Sequence, residues 1–86
     1  MKCYGYDRRD VGTGDTGDTV QLRELSEVSM VASARRLRQI AKFMNEVAEM
    51  IESDPHAFGH SHLRDHLDDW DSSEADLILT KDEESV

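Results

Sequence analysis

Between Ser33 and Glu52 the apolar residues Leu37, Ile40, Ala41, Met44, Val47, Ala48 and Ile51 recur at i, i+3, i+4 and i+7 without a miss. That spacing is the signature of one amphipathic helix. Phe43 and Met50 widen the stripe on one side. Ser33 has the chemistry of an N-cap, and Pro55 lies where a helix must stop. At ~1.5 Å per residue such a helix is about 28 Å long, enough to cross a small sheet completely. It cannot bury its stripe alone, so the rest of the chain must supply a second layer.

The whole chain has 86 residues, which leaves room for one small domain. A chain of this size buries only about 60% of its unfolded surface, so its core is thin. A deep substrate cavity is incompatible with that size. The layer-forming candidates are short. Met1–Tyr6 suits an edge strand. Val20–Val31 reads as a half-buried strand, or a pair of short strands, with a bulge or turn near Glu24–Ser26 where Leu25 breaks the alternation. Leu77, Ile78 and Leu79 run consecutively in Asp76–Lys81, as in a strand buried on both sides. The fold class expected is α+β: a small sheet of two to four strands, one long helix packed on one face, and a short second helix. The connection from Val31 through the long helix to Asp76 allows two parallel neighbouring strands with a right-handed crossover. The uncovered sheet face must be polar or must pair, so a homodimer through the sheet is an expectation.

Residues 7–19 contain three glycines and a near-repeat of Gly-Asp-Thr, and are expected to be a mobile loop. They match neither a phosphate-binding loop nor a calcium loop. Residues 82–86 are expected to be a frayed acidic tail. Cys3 has no cysteine partner in the chain, which suits a reducing compartment. Met1–Tyr6 lacks the apolar core of a signal peptide, and no apolar run approaches the ~20 residues of a membrane span. The cytoplasm is therefore the expected location.

Net charge is −9, unevenly spread: residues 1–42 carry +2 and residues 43–86 carry −11. The acidic half would repel phosphate backbones and anionic lipid, so neither nucleic acid nor membrane is an expected partner. It would attract a basic protein. The helix also runs against its own macrodipole. Arg35, Arg36 and Arg38 lie in its first turns, and Glu46, Glu49, Glu52 and Asp54 at its end. The arginines are either tolerated, or form an anion site, or pair with the chain's own acidic half.

His56, His60, His62 and His66 fall within eleven residues, among Asp65, Asp68, Asp69 and Asp71. Three readings follow. His60, His62 and His66 suit a zinc site, with the two residues of an H-x-H pair on one side of an extended segment. Histidines among aspartates also suit a pH-sensitive patch. The third reading is structural: Leu63, Leu67 and Trp70 are spaced for a short amphipathic helix over 62–70 that caps the core. The string His60-Ser61-His62-Leu63-Arg64-Asp65-His66 is similar to the H-x-H-x-D-H motif of metallo-β-lactamase-type hydrolases, with one residue too many before the aspartate. That family's further ligands and length are absent here. No serine sits in a G-x-S-x-G elbow, so nucleophilic catalysis has no support.

A strand at Val28–Val31 running into Ser33, a helix with Leu37 and Ala41, Gly59-His60-Ser61-His62-Leu63, then Ser73 and Asp76-Leu77-Ile78 resemble the small immunity proteins that protect bacteria against polymorphic toxins. The resemblance spans roughly residues 22–80, and residues 7–19 have no counterpart in it. It implies a compact α+β protein that acts by binding, with no reaction and no cofactor of its own. An acidic surface fits that role by analogy, because many toxin nucleases are basic. On this reading Asp65, Asp68, Asp69, Asp71 and Trp70 are the expected contacts of a basic toxin. The alternative is a small zinc-binding domain using His60, His62 and His66.

Overall fold

The computed structural model describes residues 1–7 and 22–82. The expected loop over 7–19 and tail over 82–86 lie outside them, apart from Asp7 and Asp82. The fold is α+β: one long helix, two small antiparallel sheets and a short 3-10 turn. The chain divides into two compact units, Met1–Val31 and Ala32–Val86.

In the first unit, β1 (Cys3–Gly5) pairs antiparallel with β2 (Arg23–Leu25), in the register Cys3↔Leu25, Tyr4↔Glu24 and Gly5↔Arg23. A side chain at Gly5 would meet Leu25 Cδ1 at 3.1 Å, so the glycine permits the close approach of the leucine. Where a bulge or turn is expected near Glu24–Ser26, the strand ends at Leu25 and the chain bends at Ser26. The half-buried strand expected up to Val31 is absent. The strand is three residues long, Val28 and Met30 are exposed, and Val31 is 101% exposed.

In the second unit, the helix α1 spans Ala34–Ser53. Ser33 is its N-cap, with Oγ accepting from the Arg36 N–H at 3.1 Å. Pro55 forces Asp54 out of helical geometry, to φ −152° and ψ 80°. A turn follows in which Ala57 N and Phe58 N both donate to Asp54 O at 3.2 Å. The buried face is rotated from the expected stripe. It runs through Ile40, Phe43 and Val47, with Phe43 only 2% exposed. Leu37 and Met44, central in the sequence stripe, remain 45% and 40% exposed. The second layer is too narrow to cover the whole stripe, and it meets the helix on the Phe43 side.

That layer is the hairpin of β3 (His60–His62) and β4 (Ile78–Thr80), antiparallel in the register His60↔Thr80, Ser61↔Leu79 and His62↔Ile78. Leu63 N donates to Leu77 O at 2.8 Å and extends the pairing. Leu63 is buried with Ile40, Phe43 and Val47, while Ile51, Phe58, Leu67, Leu77 and Leu79 pack against them. Lys81 Nζ donates to Pro55 O at 2.6 Å and fastens the end of β4 to the turn after the helix.

Three expectations are corrected here. The strand at 76–81 does not run parallel to one ending at Val31; β4 pairs antiparallel with the histidine segment. It is not buried on both sides, since Leu77 and Leu79 pack on the core and Ile78 is 50% exposed. The short helix over 62–70 contracts to a 3-10 turn, Leu63–His66, because His62 is held extended by β4 and Leu67 is again extended. Leu63 and Leu67 still face the core, as their spacing suggested.

Candidate functional site

The side chains of β3 alternate between two faces. Ser61 lies opposite Leu79, which packs on the core. His60 and His62 therefore share the outer face, away from the helix. There the His62 Nδ1 meets Asp76 Oδ2 at 2.6 Å. The other carboxylate oxygen, Oδ1, accepts from the Arg64 backbone N–H at 3.1 Å, and Arg64 Nε lies 3.7 Å from Oδ2. Burial alone would push the Asp76 carboxyl up. Its hydrogen bonds to His62 and Arg64 N–H, with the charges beside it, outweigh burial and hold it below the usual carboxylate range. The His60 and His62 ring centres are 5.1 Å apart, with the planes at 71°.

His66 is turned elsewhere. Its ring centre is 4.9 Å from that of Phe43, and its Nδ1 is 3.8 Å from Glu46 Oε2. His60, His62 and His66 thus do not converge on one ion: among the described residues, no group of three or more His, Cys, Asp and Glu side chains is arranged to hold a metal. The outer-face histidines can bind protons or act as ligands.

The expected partner-contact residues are dispersed. Asp69 is occupied internally: its Oδ1 accepts from Arg36 Nη1 at 2.8 Å, and its Oδ2 lies 3.3 Å from Arg35 Nη2. Arg36 also donates to Gln39 Oε1 at 2.8 Å and Glu74 Oε1 at 2.9 Å. The Arg36 hydrogen bond, against a smaller desolvation effect, holds the Asp69 carboxyl low. The same bond is the main reason that the guanidinium is held above its ordinary range. The first-turn arginines at positions 35 and 36 are thereby matched to the chain's own acidic segment. Asp71 builds a local turn, accepting from Ser73 N at 2.8 Å and from the Ser73 hydroxyl, and these bonds hold its carboxyl low. Half-buried Trp70 donates its Nε1 to Ala75 O at 3.3 Å. Asp65 and Asp68 are exposed and make no ion pair among the described residues.

A second surface lies at the far end of α1. Met50, Ala57 and Phe58 form an apolar floor, and Glu46, Glu49 and Asp54 stand around it. The last turn of the helix contains no basic residue. Its unpaired carbonyls and these carboxylates make this end acidic, partly offset by the Lys81 ammonium on Pro55 O and by Lys42, 3.9 Å from Glu46 Oε1. The acids Glu46, Glu49 and Asp54 are visible in the sequence as charges opposing the macrodipole. Their apolar neighbours are not, because Ala57 and Phe58 reach the groove only through the turn after Pro55.

No helix among the described residues is long and apolar enough to cross a membrane. No family model, curated protein or solved structure matches the chain.

Proposed function

We propose that this chain is a non-enzymatic protein-binding module that takes a basic, amphipathic segment of its partner into the groove at the end of α1. The observation that carries this reading is the combination of an apolar floor, Met50, Ala57 and Phe58, with the rim of Glu46, Glu49 and Asp54. Apolar side chains of the partner would cover the floor, and its Lys or Arg heads would reach the carboxylates and the helix terminus. The net charge of −9 would steer a basic protein towards it. A toxin-neutralising immunity protein acting on a basic toxin has this chemistry, and that is the role we propose for it.

The test uses the full chain and a synthetic peptide alternating lysine and leucine at helical spacing, with calorimetry at low and high salt. Binding should weaken steeply with salt. Met50→Glu with Glu49→Lys, both at exposed positions, should lower affinity by about tenfold or more, a loss of ~1.4 kcal/mol. Binding that ignores both salt and this double substitution would overturn the reading.

A further inference from the structure

The outer face of the β3–β4 hairpin carries two imidazoles that the groove does not use. We infer that His60 and His62 form a binding site for a divalent transition-metal ion, with Asp76 as the positioning partner of His62. The inference stands independently of the groove and of any protein partner.

Three observations support it. Strand periodicity puts both rings on one face, and pairing with β4 fixes the backbone beneath them. The ring centres are 5.1 Å apart. Two imidazoles that share one tetrahedral ion through bonds of ~2.0–2.1 Å have centres about 5 Å apart, so the observed separation matches that of a shared ion. The third observation is the bond from His62 Nδ1 to Asp76 Oδ2 at 2.6 Å. With the Asp76 carboxylate on Nδ1, Nε2 is the ring nitrogen left to face a metal ion. This is the carboxylate–histidine arrangement by which proteins orient a metal-bound imidazole. Asp76 is itself fixed by the Arg64 N–H at 3.1 Å.

Imidazole nitrogens select zinc, copper or nickel over calcium or magnesium. Two protein ligands leave the other coordination positions for water or for the same pair on a second copy. His60 is exposed, and Ile78, opposite His62, is 50% exposed, so both routes are sterically open. His66 takes no part, because its ring is against Phe43.

Zinc ion alone is the probe. Calorimetric titration of the full chain should show saturable binding, and the imidazole proton signals of His60 and His62 should shift. His60→Ala removes an exposed side chain without a hydrogen bond among the described residues, so the fold survives. It should lower affinity by about tenfold or more. Asp76→Asn should lower it about 10–100-fold with both ligands still present. His56→Ala and His66→Ala should leave it unchanged. One ion per chain, or one per two chains with dimerisation seen by sedimentation, both support the site. The inference fails if the unsubstituted chain shows no saturable binding, or if His60→Ala binds zinc as tightly as the parent.

Discussion

Arg36 and Asp69 lie 33 residues apart in sequence, yet the guanidinium donates to the carboxylate at 2.8 Å. This contact, with that to Glu74, fastens the segment after the 3-10 turn to the first turn of α1. It also places carboxylates beside a helix terminus crowded with cations. Arg36 has a side chain only 16% exposed and makes bonds to three side chains. Arg36→Ala should lower Tm and speed amide exchange in residues 67–76. Asp69→Asn should do so less, because Glu74 still holds the guanidinium. Melting curves and hydrogen exchange check the ranking.

Acid should weaken the fold through Asp69 and Asp76. Both carboxyls lie below their ordinary value of 3.8 in the folded chain. A depressed folded value means that the unfolded chain binds protons first as pH falls. The stability these groups contribute is therefore complete above that ordinary value and is lost as pH drops through the folded values. Tm measured against pH should fall below about pH 4. Asp76→Asn should remove part of that slope and leave the Asp69 part.

Phe43 is the most buried large side chain, at the centre of the Ile40, Val47 and Leu63 cluster. Phe43→Ala should cost about 3–5 kcal/mol. Total stabilities of small domains are ~5–15 kcal/mol, so this one change should leave the 32–82 region largely unfolded at modest urea. Phe43→Leu, which keeps most of the volume, should be much milder. Urea unfolding followed by far-ultraviolet circular dichroism separates the two.

Ser33 caps α1 through its hydroxyl. Ser33→Ala should cost about 1 kcal/mol, and Ser33→Asp should restore most of it. The same unfolding experiment reads both.

The helix was legible to within a residue at each end, because its cap, its apolar period and its proline stop are local signals. Its buried face was not. Leu37 and Phe43 are both apolar at helical positions, and only the width and position of the second layer decide which is covered. The pairing of β3 with β4 was hidden for a related reason. A three-residue strand carries no period of its own, and His60-Ser61-His62 is polar on both faces. Asp76 next to His62 depends on that register, and so does the outer-face pair of rings. Among the expected contacts, Asp69 shows the limit most clearly. Its charge is plain in the sequence, but pairing with the acidic half is only one of three fates open to the helix-start arginines.

The acids at the end of α1 oppose folding while serving the proposed groove. Glu49→Lys or Glu52→Lys should stabilise the helix by ~0.3–1 kcal/mol each, by putting a cation at its carbonyl end. Glu49→Lys, on the groove rim, should also weaken binding of the lysine–leucine peptide. A variant that melts higher and binds less would show that stability and recognition conflict at this terminus. Tm and calorimetry on the same samples give the answer.

The helix in the Ala32–Val86 unit has its starting arginines at 35 and 36 matched internally, while its final turn carries no basic residue of its own and meets only the Lys81 ammonium just beyond it. Its field is therefore lopsided, like a compass needle with one pole muffled. A cationic surface diffusing nearby would feel a torque before any atom touched, and would rotate this unit so that the open pole led. Orientation would then be chosen during the encounter, leaving only a short search for the final fit.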